Sequence, residues 1–163
     1  MLFEISPSGP APDAASLVVR LALAWIFFYY GASKLFGAFP GSGGTHGLHQ
    51  TATFMSQGAH LHPGELFAVM AGLIEFGGAI AMALGLFTRL AGLALLGDMV
   101  MAAITVTGSE GINPTMSGTG YQLNLAIAGL ALVAALIGAG RFSLDALVAR
   151  ALDRRQGLAS AAA

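Results

Sequence analysis

Residues 65–87 read ELFAVMAGLIEFGGAIAMALGLF. Apart from Glu65 at its start and Glu75 in its middle, this stretch carries no charged side chain. A helix of about 20 mostly apolar residues is long enough to cross the hydrocarbon core of a bilayer. The stretch is therefore a predicted membrane span, and it sets the class of protein to which the chain belongs.

Three other stretches are also mostly apolar and about as long. With residues 65–87 they predict four spans, the others covering about residues 16–37, 90–107 and 121–139. Only Thr88 and Arg89 separate the second span from the third, which predicts a tight helical hairpin. The predicted fold is an all-α integral membrane four-helix bundle in residues 16–139.

The composition excludes several classes of protein. Residues of the types AVILMFWYC make up 56% of the 163 residues and charged residues only 9%, whereas soluble domains carry about 25% charged residues. The net charge of -1 gives no electrostatic footprint for nucleic acid, so no nucleic-acid partner is expected. The chain has no cysteine, which excludes disulfides and thiol chemistry. Its 23 glycines are typical of closely packed membrane helices.

The positive charges predict the orientation in the membrane. Arginines lie at the start of span one, in the short hairpin turn and after span four, while the two connections on the other side contain no Lys or Arg. The positive-inside rule then places both termini in the cytoplasm. We expect a multi-pass protein of the inner (plasma) membrane. Residues 1–15 are a cytoplasmic N-terminal segment and not a cleavable signal peptide, since they contain no Lys or Arg. Lys34, late in span one, is the one cation that lies toward the other side.

The residues after span four predict a last, amphipathic helix. Ser143 can cap a helix in which Leu144, Leu147 and Val148 recur at helical spacing. Residues 140–163 are accordingly predicted to form a cytoplasmic interfacial helix and tail, with a frayed extension of span four as the alternative.

Two carboxyls lie near the predicted bilayer midplane. Glu75 is about 15 Å from the outer start of span two, and Asp98 about 12 Å from the inner start of span three. An ionisable residue at that depth costs at least ~2.5 kcal/mol, so its presence needs a reason. Small residues lie on the same helix faces as the two carboxyls, and this pattern predicts that the carboxyls point into the bundle. Their chemistry suits proton exchange, although hydrogen-bonded packing is the alternative.

Two cations lie nearer the ends of span one. Lys34 can bind an anion or oxygen near the outer mouth of the bundle, or extend to the outer headgroups. Arg20 is expected to extend to the inner headgroups. The candidate catalytic residues are therefore Glu75 as the proton-exchanging group, Asp98 as its partner, and Lys34.

Candidate ligand-binding residues lie on the first and last spans. Tyr29 and Tyr30 on span one, and Asn124 and Gln122 on span four, could line a pocket for a quinone headgroup. The alternative for the tyrosines is packing or anchoring at the membrane interface.

The first outer connection is rich in histidine. It contains His46, His49, His60 and His62, and residues 45–57 can form a short amphipathic helix. Imidazoles can bind zinc, copper or iron, so the four are weak metal candidates. Their spacing matches no strong metal motif, and solvated, titrating histidines are the preferred interpretation, with no metal predicted.

Four motifs in this order resemble the DoxX family of small bacterial membrane proteins. They read GASKLF at 31–36, EFGG at 75–78, GLFTR at 85–89 and GAGRFSLD at 138–145. The resemblance covers about residues 15–150 and implies a four-helix membrane protein. At the start of the last span, where many relatives carry an acidic residue, this chain has Tyr121 and Gln122.

The resemblance also implies a functional setting. Some members of the family are subunits of a thiosulfate:quinone oxidoreductase, and others belong to oxidative-stress or quinone-detoxifying systems. With the midplane carboxyls, this predicts a subunit that serves a quinone-linked redox process, in contact with the lipid bilayer and with a protein partner or a second copy. The alternatives are a non-catalytic accessory or scaffold subunit and a small transporter.

Overall fold

The computed structural model describes residues 10–39, 45–113 and 120–161 of the chain. Within these residues the secondary structure is helical throughout, with no strand, which confirms the all-α prediction. The helices are α1 (Pro10–Phe36), α2 (Leu48–Gln57), α3 (Gly64–Leu84), α4 (Thr88–Thr105), α5 (Gln122–Ile137) and α6 (Leu144–Ala161). One turn of 3-10 helix, Gly108–Glu110, follows α4.

Three of the predicted spans are long and apolar enough to cross a membrane, namely α1, α3 and α4. The fourth, α5, is shorter, with 16 residues, or about 24 Å of helix. It packs along α4 and completes the bundle. The chain is thus a membrane bundle of four apolar helices, the last of which falls short of the length predicted for it.

Two helices differ in extent from the approximate bounds predicted for the spans. The first helix is described from Pro10 onward, so it extends ahead of the predicted start of the span at about Ser16. Residues 10–15 of the predicted N-terminal segment are therefore helical, while residues 1–9 lie outside the described part of the chain. The second span ends at Leu84 because Gly85 adopts a left-handed conformation with φ of 64° and caps the helix.

Small residues bring the helices together, as the sequence predicts. A Cβ atom on Gly31 of α1 would lie 2.5 Å from the backbone nitrogen of Phe76 in α3. A Cβ atom on Gly92 of α4 would lie 2.8 Å from the carbonyl oxygen of Ala131 in α5. Glycine at these two positions allows backbone contact that no larger residue permits.

The bundle is apolar both inside and outside. Leu23, Phe27, Met82 and Leu95 are buried in one core cluster, while large apolar side chains cover the outer surface, with Trp25 76% exposed. In water such a large exposed apolar surface would lead to aggregation. On helices of spanning length it is the face that contacts lipid.

Helix α2 lies across one end of the bundle, called here the α2 end. It is the short helix predicted in the histidine-rich connection, and its buried side chains Thr51, Ala52 and Met55 face α3 and the end of α1. The opposite end, where α5 turns into α6, is called the α6 end.

A buried arginine holds the α6 end together. The side chain of Arg20 is 1% exposed, and its two terminal nitrogens each donate a hydrogen bond of 2.7 Å, to the carbonyl oxygens of Ala139 and Phe142. The expectation that Arg20 extends to the headgroups is therefore wrong. The turn between α5 and α6 leaves backbone carbonyls without helical partners, and the guanidinium satisfies two of them.

The same turn also supports the start of α4. Asp145 of α6 accepts hydrogen bonds from the backbone N–H groups of Phe87 and Thr88, at 3.0 and 3.3 Å. These N–H groups belong to the first turn of α4, whose positive dipole end favours a carboxylate. Arg20 and Asp145 are referred to below as the α6 clamp.

Candidate functional site

A cavity of about 800 Å³ lies between α1, α3, α4 and α5 and extends toward the α2 end. This volume is in the range of pockets that hold small organic molecules. Apolar side chains form most of its wall, among them Phe27, Met99 and Ile127. The polar side chains on the wall are the minority: Tyr30, Ser33, Lys34, Thr45, Glu75, Asp98, Thr105, Thr107 and Asn124.

The centre of the polar wall is an ion pair between α1 and α3. The Lys34 ammonium donates to both carboxylate oxygens of Glu75, at 2.5 and 2.6 Å. The Lys34 side chain is 20% exposed and that of Glu75 4%. Lys34 thus turns inward to the carboxylate and not outward to the headgroups. The close packing of α1 on α3 at Gly31 brings the two side chains within reach.

Asp98 of α4 joins this pair. Its carboxyl lines the same cavity wall as that of Glu75, and the two carboxyls are neighbours there. Two neighbouring carboxyls can share a hydrogen bond only when one of them carries a proton. Lys34, Glu75 and Asp98, called here the charge network, can therefore hold one exchangeable proton beside two opposite charges.

The amide of Asn124 in α5 lies on the same cavity. Its oxygen accepts a hydrogen bond of 3.2 Å from the Thr107 hydroxyl, and its nitrogen is 3.9 Å from the sulfur of Met99. A thioether is a weak acceptor, so the amide nitrogen keeps the capacity to donate to a stronger one.

Of the two tyrosines predicted to line a ligand pocket, one does and the other does not. Tyr30 lines the cavity, and its ring centroid is 5.6 Å from the Lys34 nitrogen, a distance at which a cation is attracted to the ring face. Tyr29 stacks on Phe39 with a centroid distance of 4.7 Å and is not part of the cavity wall. Gln122 is exposed at the start of α5 and is also outside the wall.

A second polar cluster, not predicted from the sequence, lies at the α2 end of the cavity. The buried Ser33 hydroxyl donates to the carbonyl oxygen of Thr45 at 2.9 Å and lies 3.3 Å from Nδ1 of His46. Thr51 of α2 donates to the Thr45 hydroxyl at 2.9 Å. Because Ser33 precedes Lys34, its position beside a membrane-buried lysine was the available signal.

The four histidines do not come together. His46 contacts Ser33, whereas His49, His60 and His62 are exposed. Among residues 10–39, 45–113 and 120–161 there is no group of three or more histidine or acidic side chains that could hold a metal ion.

Comparisons with known proteins agree on the kind of protein. The DoxX family model matches residues 15–108. The chain is 29% identical over 138 residues to the inner membrane protein YqjF of Escherichia coli (strain K12), a match that covers 83% of this chain and 93% of that protein. No solved structure matches the chain.

Proposed function

Because this chain belongs to the DoxX family and is a multi-pass inner membrane protein, we propose that its cavity binds a quinone headgroup and that the chain serves a quinone-linked redox process as a subunit. One observation carries the proposal. Three ionisable side chains meet on the wall of a cavity of about 800 Å³ that is otherwise mostly apolar. A pocket with a few convergent polar groups in an apolar wall is the usual form of a small-molecule site.

The residues present fit a quinone headgroup. The apolar wall, with Phe27, Met99 and Ile127, suits a flat ring that partitions into lipid. The ring's carbonyl oxygens need hydrogen-bond donors, and the Lys34 ammonium and the Asn124 amide supply them from two different helices. Tyr30 adds an aromatic side chain to the wall. A quinone, when bound, accepts electrons together with protons.

The charge network supplies the proton chemistry. When Asp98 and Glu75 share a hydrogen bond, one of the two carboxyls holds a proton and can release it to an oxygen in the cavity. Lys34 lies against the carboxylate of Glu75 and stabilises negative charge that develops on that oxygen. The electrons come from a reductant or from a partner subunit, because the chain contains no cysteine with which to hold a thiol or an iron–sulfur centre.

The orientation is part of the proposal. Arg89, Arg141 and Arg150 lie at the α6 end, and the connections at the α2 end contain no Lys or Arg. The positive-inside rule then places the α6 end in the cytoplasm and the α2 end outside.

Mass spectrometry of the protein in mild detergent tests the ligand. We expect wild-type protein to retain a quinone and Glu75→Gln to lose it, since the substitution breaks the ion pair that orients Lys34. Glu65→Gln is the matched control, because Glu65 is an exposed acid at the start of the same helix, away from the cavity. Wild-type protein without quinone, but with a stoichiometric protein partner, would instead support the accessory-subunit function.

A further inference from the structure

The polar side chains that border the cavity all lie at the level of the charge network or nearer to the α2 end. Ser33 and Thr45 are on one side, and Thr105 and Thr107 are near the end of α4. From this distribution we propose that the charge network exchanges protons only with the aqueous phase at the α2 end, by way of Ser33 and His46. The inference deepens the proposed function and rests on its proton exchange, although not on the identity of the ligand.

The route begins at His46, which is partly exposed near the start of α2. Its Nδ1 lies 3.3 Å from the hydroxyl of the buried Ser33, which also lines the cavity next to Lys34. The Ser33 hydroxyl donates to the Thr45 carbonyl oxygen in the structure, and a rotation about its C–O bond lets it donate into the cavity while it accepts from His46. A cavity of this size with several polar groups on its wall can hold the water that completes the path to Glu75 and Asp98.

An apolar layer separates the charge network from the α6 end. Leu23, Phe27, Met82 and Leu95 are buried in one cluster, displaced from the charge network toward the α6 end. In that layer each helix contains only apolar residues and glycine, through residues 21–28, 76–84, 90–97 and 125–137. The seven residues from Glu75 to Met82 correspond to about 10 Å along the helix. Proton transfer requires polar groups within hydrogen-bond reach, and the described residues place none in this layer.

The ionisable groups that face the network are few. Lys34 and the phenol of Tyr30 come from α1, Glu75 from α3 and Asp98 from α4, while α5 contributes the neutral Asn124. His46 is the histidine that contacts the polar wall, through Ser33. Within the described chain, the ionisable side chains of the α6 clamp, Arg20 and Asp145, do not line the cavity.

Sided carbodiimide labelling tests the direction of access. The protein is reconstituted in vesicles of known orientation and treated with dicyclohexylcarbodiimide, which enters lipid and reacts with protonated carboxyls. Modification of the peptides containing Glu75 and Asp98 is followed by mass spectrometry. We expect the rate of modification to fall when the pH is raised at the α2 end, and to stay unchanged when it is raised at the α6 end alone. A rate that follows the pH at the α6 end, or at both ends equally, would overturn the proposal.

Hydrogen–deuterium exchange tests the route. The infrared carbonyl band of the protonated carboxyl reports how fast the buried site exchanges after transfer to D₂O. We expect Ser33→Ala and His46→Gln to slow that exchange by about five- to tenfold, the rate effect of losing one hydrogen-bonded step. Ser16→Ala is the matched control: Ser16 is a buried serine of the same helix at the α6 end, where its hydroxyl donates to the Gly138 carbonyl oxygen.

The outcomes separate this inference from the proposed function. Sided labelling in protein that never retains a quinone would preserve the access route and reject the quinone. Quinone binding together with equal access from both ends would support the quinone and reject the access route. Exchange that Ser16→Ala slows as much as Ser33→Ala would reject Ser33 as part of the route.

Discussion

Lys34 and Glu75 join α1 to α3 inside the membrane, with the ammonium nitrogen 2.5 and 2.6 Å from the two carboxylate oxygens. Each charge is tolerated at this depth because the other is present, since an unpaired ion in hydrocarbon is costly. The contact depends on backbone proximity as well, because Gly31 of α1 lies directly against Phe76 of α3. The pair therefore couples the packing of two helices to the chemistry of the cavity.

Removing one member of the pair is expected to destabilise the protein more than removing both. Glu75→Gln leaves Lys34 buried without its counter-charge and should lower the free energy of unfolding by about 3 kcal/mol. The double variant Lys34→Met with Glu75→Gln should recover much of that loss, because two neutral side chains replace two ions. Denaturant titration in detergent, carried through the full double-mutant cycle, measures both values. Additive losses would show that the two side chains do not interact.

Adding a methyl group at two glycines is expected to give effects of opposite sign. Gly31→Ala places a Cβ atom 2.5 Å from the backbone of Phe76 and should force α1 away from α3. Gly129→Ala, in α5, meets nothing within 4 Å, so the higher helix propensity of alanine should stabilise it by about 0.5–1 kcal/mol. Thermal unfolding in the same detergent compares the two. A Gly31→Ala variant as stable as Gly129→Ala would contradict the close helix contact.

The sequence was sufficient to predict the membrane bundle and its two midplane carboxyls. Length and hydropathy locate the apolar helices, and the coincidence of Glu75 and Asp98 with small residues gives their inward direction. Neither signal says which helices are neighbours, so the contact between the two carboxyls could not be predicted. Lys34 illustrates the same limit, since its position near a helix end is compatible with an outward or an inward side chain.

Helix ends were harder to predict than helices. The left-handed Gly85 ends α3, but the apolar sequence continues through Leu86 and Phe87, so hydropathy does not mark the end of the helix. Arg20 was placed at the headgroups because its partners are backbone carbonyls more than a hundred residues away, at Ala139 and Phe142. Carbonyls carry no sequence signature, so a side chain that binds them is recognised only in the folded chain.

Replacing the arginine of the α6 clamp is expected to loosen the α6 end. Arg20→Met is similar in length and apolar, but it leaves the carbonyls of Ala139 and Phe142 without donors. Each hydrogen bond to a charged group contributes roughly 1.5–3 kcal/mol, so we expect a loss of at least about 2 kcal/mol. Hydrogen exchange should show faster opening of residues 138–145. Arg150→Met, at an exposed position on α6, is the control, and an equal effect there would contradict the clamp.

Single cysteines are expected to show which end of the bundle faces the cytoplasm. The chain contains no cysteine, so an introduced one is the unique target of a membrane-impermeant maleimide. Thr53→Cys on α2 and Ala149→Cys on α6 both replace exposed residues, one at each end. If the arginine-rich α6 end is cytoplasmic, intact cells should label Thr53→Cys, and Ala149→Cys should react only after permeabilisation. The opposite pattern would invert the orientation and place the proton route from His46 on the cytoplasmic side.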